Sequence, residues 1–184
     1  MKVKNKDFKI DELLAEKIKN GDFNAVEELM DKYKDNLFNF IYRMISNYQT
    51  AEDIFQETWT RVIEKIGKFN PKYSFKIWLF TISRNLCLDS LRKTKRRRLK
   101  QKFFWAEKSE VLNESKAGDE KLMRTLNKIS PKLREVIILR FYHQCDLKEI
   151  SDILRIPVGT VKSRLNRGIN SMKKIWFKES RNEA

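Results

Sequence analysis

The chain has 184 residues, 41% of them hydrophobic, which is enough for one large domain or two small ones with real cores. Forty Lys and Arg against 25 Asp and Glu leave a formal charge of +15 and a pI near 9.8, so counterion release favours a polyanionic partner, with nucleic acid ahead of an anionic membrane surface. No apolar run approaches the ~20 residues that cross a bilayer, the first ten residues hold no signal-peptide core, and two cysteines with one histidine are too few for a disulfide framework or a four-ligand zinc site; a cytoplasmic protein with no cofactor, no metal and no membrane insertion is expected.

Glycine and proline are scarce, and apolar residues recur mostly at spacings of three and four, which predicts an all-α fold. A first helix is expected over Asp11 to Asn20, with Leu13, Leu14 and Ile18 inward and Gly21 as its C-cap. Asp22 suits the cap of a second helix carrying Ala25, Val26, Leu29, Met30 and Tyr33, and a third run from about Asp35 to Ser46 buries Leu37, Phe38, Ile41, Tyr42 and Ile45. The next helix opens at Thr50, with Glu52 and Asp53 at the favourable end of the helix dipole and Ile54, Phe55, Val62 and Ile66 inward. Asp53, Gln56, Glu57 and Thr60 share one exposed strip that is acidic in a basic protein, either a solvated face or a docking surface for a basic partner.

Gly67 to Ser74 breaks the pattern as a loop holding Phe69 and Tyr73. The helix predicted over Phe75 to Arg92 has two apolar stripes, Phe75, Trp78, Leu79, Ile82 and Leu86 on one side and Ile77, Phe80, Leu88 and Leu91 on the other. Either it is buried all round, or its aromatics beside Lys68, Lys72, Lys76 and Arg84 form a platform for unstacked bases. Eight cations between Arg92 and Lys102 repel one another, so a domain is expected to end there: residues 1–95 form one domain, 96–118 a flexible basic linker with an isolated Phe103-Phe104-Trp105 patch, and 119–184 a second domain.

In the second domain Leu122, Met123, Leu126 and Ile129 form one helical face, and Ser130-Pro131 opens a helix that buries Leu133, Val136, Ile137 and Phe141. His143 and Cys145 are placed at a helix end. Asp146 and Glu149 have the form of a capping box for a short helix, and the tight connection Arg155-Ile156-Pro157 leads to another. On this last helix Val161, Leu165, Ile169, Met172 and Trp176 project one way, and Gly159, Ser163, Asn166, Arg167, Asn170 and Lys174 the other. Such a pair has the shape of a helix-turn-helix, whose second helix reads base edges in the major groove while neighbouring cations grip phosphate. No nucleophile–base pairing or Gly-rich phosphate loop is present, so no enzyme is expected.

Three stretches together resemble the extracytoplasmic-function (ECF) group of bacterial sigma factors: Ala51 to Glu57 is similar to the group's polymerase-binding helix, Ser74 to Asn85 to its −10 segment, and Ile156 to Arg164 to its −35 helix. The resemblance implies two helical domains, regions 2 and 4, that bind core RNA polymerase and direct promoter recognition and strand opening. By motif, Asp53, Gln56 and Glu57 match contacts to the clamp coiled coil of the largest subunit, and the flap of the second subunit is a further expected contact. Phe69 and Asn85 match the pocket for a flipped −10 base, with Lys72, Tyr73, Lys76 and Arg84 around it. Lys162, Ser163, Asn166 and Arg167 match −35 contacts, with Gly159, Thr160 and Lys174 on the same surface. Promoter DNA and an anti-sigma factor are the other partners implied. Asn166 stands where the group varies, and Arg155 replaces a common turn glycine, which suggests an altered turn. The competing reading is a stand-alone helix-turn-helix regulator acting without polymerase.

Overall fold

A chain with few breakers turns rarely. The computed structural model describes residues 2–101 and 117–182, and there the backbone turns between eight α-helices: α1 (Lys2–Lys19), α2 (Asn24–Ile45), α3 (Tyr48–Lys65), α4 (Phe75–Gln101), α5 (Ala117–Lys128), α6 (Pro131–Ile137), α7 (Leu147–Leu154) and α8 (Val158–Asn182). No strand occurs among the described residues, and none of their helices is long and apolar enough to cross a membrane.

The two helices expected between Asp22 and Ser46 are one. Val26, Leu29, Tyr33, Leu37, Phe40, Ile41 and Met44 form a continuous buried stripe with no Gly or Pro to interrupt it, so the chain gains by staying helical. Leu13, expected inward, is exposed, because the inward positions beside it belong to Asp11 and Glu12. The Tyr33 hydroxyl and the Lys32 ammonium both donate to Asp11, and Glu12 Oε1 accepts the backbone N–H of Phe75 at 3.2 Å, supplying α4 with a cap from another helix. Burial pushes the Glu12 carboxyl above its ordinary range, and the Phe75 N–H pulls against that. Gly21 stops α1 at φ +91°, and Asn47, three residues earlier than the expected Thr50, caps α3 by accepting the Thr50 N–H at 2.8 Å.

α4 is buried on both sides over its first three turns, which resolves its two stripes in favour of packing. Phe75, Leu79 and Phe80 are fully enclosed, and Thr81 Oγ1 lies 3.3 Å from the Ile153 carbonyl of α7. The helix runs on to Gln101, past the expected end at Arg92 and the domain limit at 95: the Lys and Arg side chains from Arg92 to Arg97 are exposed, and Lys and Arg are good helix formers. The Phe103-Phe104-Trp105 patch lies outside the described residues.

In the second half, α6 gives way to a π-helical turn over Ile138–Tyr142. The extra residue per turn rotates Ile138 and Leu139 inward and leaves Phe141, expected in the core, exposed. The capping box at Asp146 and Glu149 forms as expected, with Asp146 Oδ1 accepting the Glu149 N–H at 2.8 Å and Glu149 Oε2 accepting the Asp146 N–H at 2.8 Å. Gly168 lets α8 lie close on α6, since a Cβ there would stand 2.7 Å from Ile137 Cδ1. The turn between α7 and α8 is not altered by Arg155. This residue sits at φ 53°, ψ 49°, the left-handed conformation glycine would supply, and its N–H donates to the Ser151 carbonyl as a helix C-cap.

Replacing Arg155 by Gly should therefore stabilise the protein. Set against the ~0.5–1 kcal/mol cost of a freer unfolded chain, the relieved strain of ~1–2 kcal/mol leaves a gain of up to about 1.5 kcal/mol in urea unfolding. A loss of stability would show that the arginine side chain contributes more than its backbone costs.

Candidate nucleic-acid interface

The outward face of α8 is where the helical projection puts it. Gly159, Lys162, Ser163, Asn166, Arg167, Asn170 and Lys174 are exposed, and Thr160 is half-buried at the helix start. Ser163 Oγ donates to the Thr160 carbonyl at 3.0 Å and Arg167 Nε to the Ser163 carbonyl at 3.4 Å, so without a partner these side chains rest on their own helix. Val161 is buried, Leu165, Ile169 and Met172 are half-buried, and Trp176 is more open beneath the Lys121 ammonium.

The loop before α4 divides its two aromatics. Phe69, expected to stack on a base, is 4% exposed: its ring lies 5.1 Å from Trp78 and 5.8 Å from Phe75, and the Lys19 ammonium donates to its carbonyl. Its apolar ring has a covered place beneath the loop and takes it. Tyr73, 67% exposed, is the ring left for a ligand. Asn70 Oδ1 accepts the Lys72 N–H at 3.0 Å and its carbonyl accepts the Tyr73 N–H at 3.0 Å, which fixes the turn that presents Tyr73. Lys72 and Asn85 are exposed, and Lys76 is half-buried.

Arg84 is not on an open face. Its guanidinium donates to Glu135 of α6 at 2.9 and 3.3 Å, and Glu135, with no exposed surface, also accepts from Arg164 of α8 at 3.1 Å. The next residue back, Arg134, is buried without a carboxylate and donates to carbonyls of Met44 (2.7 Å), Asn127 (2.9 Å) and Ile129 (3.4 Å), at the C-terminal ends of α2 and α5. Burial lowers its pKa to about 10, which leaves it charged at neutral pH. His143 lies between Phe40 and Phe80, with ring centroids 5.8 and 5.4 Å away, and Arg43 stacks over Tyr142 at 4.1 Å. Burial, with Lys76 and Arg43 adding to it, lowers the His143 pKa to about 4, so the imidazole is neutral in the fold. His143 is thus part of the seam between the halves rather than a purely local helix-end residue.

These contacts dock the second half of the chain on the first. A groove of about 930 Å³ runs along the seam, with Lys68, Lys72, Tyr73 and Trp78 on one wall and Lys148 and Arg155 on the other. The sequence hinted at this seam without revealing it: Arg134 and Glu135 abut the apolar run Val136 to Leu139, and charges buried beside such a run must find partners.

On the first half, Asp53, Gln56, Glu57 and Thr60 are exposed along α3 as expected. The strip is less purely acidic than its sequence. Glu57 pairs with Arg61 at 2.7 Å, and the groove of about 710 Å³ beside it is walled on α4 by Asp89, Arg92, Lys93 and Arg96. Around the helix from Asp53 lies a second, aromatic hollow formed by Phe38, Tyr48 and Phe55, unmarked in the sequence because these rings come from two helices.

Two bundles of this kind, one with an acidic helix and an aromatic loop and the other a helix-turn-helix, define a sigma-70-type architecture: residues 29–97 match the family model Sigma-70 region 2 and residues 119–172 match Sigma-70, region 4. The ECF RNA polymerase sigma factor SigW of Bacillus subtilis (strain 168) is 34% identical over 146 residues, covering 70% of this chain and 76% of its own, and EcfG of Rhodopseudomonas palustris (strain TIE-1) is 30% identical over 133 residues, covering 71% and 74%. The sigma factor RpoE of Bartonella quintana, solved in complex with the anti-sigma factor NepR, superimposes with a TM-score of 0.71 at 25% identity over 83% of this chain and 96% of that one. CnrH, solved with the cytosolic domain of CnrY, shares the fold with a TM-score of 0.70 at 21% identity over 90% and 96%. The chain belongs to the ECF RNA polymerase sigma factors.

Truncating Glu135 to Ala strands two arginines at the seam. Loss of one partner of a buried ion pair costs ~3–5 kcal/mol, but here the arginines regain water if the halves part. The expected result is a larger radius of gyration in small-angle scattering with helical content unchanged. An unchanged radius would show that the apolar contacts around His143 hold the halves by themselves.

Proposed function

We propose that this sigma factor works through three separate surfaces: the α3 strip Asp53, Gln56 and Glu57 docks on the clamp coiled coil of core RNA polymerase, the Tyr73 loop with Lys72, Lys76, Arg84 and Asn85 engages the −10 strand, and the outward face of α8 reads the −35 duplex. The observation that carries the reading is their coexistence on one chain. A stand-alone DNA-binding protein has no use for an exposed acidic strip beside its helix-turn-helix and a basic surface. In this reading the protein acts in the cytoplasm, where polymerase and template are, and it positions DNA without performing a chemical step of its own.

The docked arrangement sets a condition. Elements about 25 base pairs apart are ~85 Å apart along B-form DNA, whereas a 184-residue body that packs as one unit is only ~40 Å across. Both elements are read only when the halves separate, and the sixteen peptide links from Gln101 to Ala117 allow at most ~55 Å of reach between them, enough once each half's own width is added. Separation also releases Arg84 from Glu135 for the −10 strand. An anti-sigma factor, the kind of partner NepR is for RpoE, would oppose initiation by favouring the docked form.

Two outcomes follow for the first surfaces. Reversing charge at Asp53 and Glu57 to Lys should reduce capture of core polymerase at least about tenfold, while stability changes by no more than ~0.5 kcal/mol, as expected for exposed helix sites. Normal capture would remove α3 from the polymerase interface.

Tyr73→Ala should weaken binding to an unpaired −10 strand by ~1–3 kcal/mol at unchanged stability. Phe69→Ala should instead lower stability by ~3–5 kcal/mol, as core aromatics do. Strand affinity falling with Phe69→Ala and not with Tyr73→Ala, at equal stability, would return the stacking role to Phe69.

A further inference from the structure

The recognition helix runs on past the region 4 match. The region 4 match ends at residue 172, but α8 continues ten residues further, to Asn182, adding ~15 Å of helix. This tail does not stand free. Ile175 packs against the core, and the Lys121 ammonium of α5 lies 5.0 Å over the Trp176 ring. Those contacts fix the rotation of the tail and so determine what faces out: Lys173, Lys174, Phe177, Lys178 and Arg181 surround a shallow hollow of about 390 Å³, with Phe177 65% exposed. At 100° per residue, Lys174, Phe177, Lys178 and Arg181 all lie within about 60° of Ser163, so the base-reading face and the cationic face are one face.

We infer that this tail is a phosphate clamp: it grips the backbone of the same duplex whose bases the start of α8 reads, extending the contact beyond the region 4 footprint. The inference rests on the −35 reading for the identity of that duplex. Lys174, Lys178 and Arg181 lie ~16, ~22 and ~27 Å along the helix from Ser163. The major groove is ~12 Å wide and winds around the duplex, so a straight helix centred in it at Ser163 leaves the groove floor within about two turns and passes over the bordering strand. Past that point base edges are out of reach and phosphates are close. Four cations suit a row of phosphates, and an exposed ring among them suits the apolar deoxyribose edges between. Nothing in base recognition requires this segment, so its contribution is affinity without sequence preference.

The test compares the full-length wild type with the K173Q/K174Q/K178Q/R181Q variant, which keeps good helix formers at all four sites. Each protein selects from a pool of randomised short duplexes, and affinity for the wild type's selected duplex and for one fixed random duplex is measured across salt concentrations. The expected result is the same selected bases, affinity at least about tenfold lower near 0.1 M salt, and a slope of log affinity against log salt shallower by ~3, from about 0.9 per lost phosphate contact. An unchanged slope overturns the clamp, as does a change in the selected bases, or a wild type that binds no duplex at low salt. An unchanged slope with lost binding to phosphatidylserine vesicles would reassign the tail to an anionic membrane. Arg167→Ala in the same assay isolates the underlying reading: if it leaves base preference intact, Arg167 is not a base reader, while the slopes on the fixed duplex still decide the clamp.

Discussion

Two adjacent charges without access to water, Arg134 and Glu135, decide how the halves of this protein sit. A buried carboxylate costs several kcal/mol unless it is paired and hydrogen-bonded, and Glu135 meets that condition by drawing one arginine from each of the two helices proposed to meet DNA, Arg84 from α4 and Arg164 from α8. Arg134 meets it differently. It has no anion, only carbonyls at the ends of α2 and α5, where the helix dipoles are negative, so it joins the first half to the second through backbone that neither half can withdraw. Position 134 ties the frame and position 135 sets the registration of the two arginines.

An interface centred on ions separates on different terms from one made of leucine. Burying paired charges yields little net stability, because their attraction in the interior is offset by the water they lost, and parting returns that water. A phosphate can then replace the carboxylate. Both arginines held by Glu135 lie on helices assigned to DNA, so the docked form neutralises with one side chain what the promoter would neutralise with its backbone. The apolar part of the seam includes His143 between Phe40 and Phe80 and the packing of α7 on α4, and the imidazole stays neutral because burial there and nearby Lys76 and Arg43 reject a further positive charge.

What the sequence could and could not convey follows from what periodicity measures. Caps and turns are local, so the Asp146–Glu149 box, Gly21 and the outward face of α8 were legible residue by residue. Apolar stripes state that a face is covered without naming the cover. The two stripes of α4 recorded both sides of its burial, yet nothing in them revealed that the second cover is α7 of the same chain. The misplaced residues share this cause: Leu13 lost its inward position to acids that cap α4 and hold α2, and Phe141 lost its own to a π-helical turn that no local rule requires. Phe69 is expected at the base pocket because it matches the family motif and stands in the loop, and only three dimensions show the aromatic floor beneath it.

That floor bears on how the loop proposed to engage the −10 strand would function. Phe69 is wedged against Trp78 and Phe75, Lys19 holds its carbonyl, and Asn70 closes the turn that follows. The loop is therefore built before any strand arrives, and Tyr73 is offered from a rigid base, so little conformational entropy is lost on binding. All of these supports belong to α1, α4 and the loop itself, with none from the second half. The loop consequently keeps its shape when the halves part. Opening costs the contacts of Arg134, Glu135 and His143 and the cover that α7 gives α4, and leaves the loop proposed to capture the strand already made.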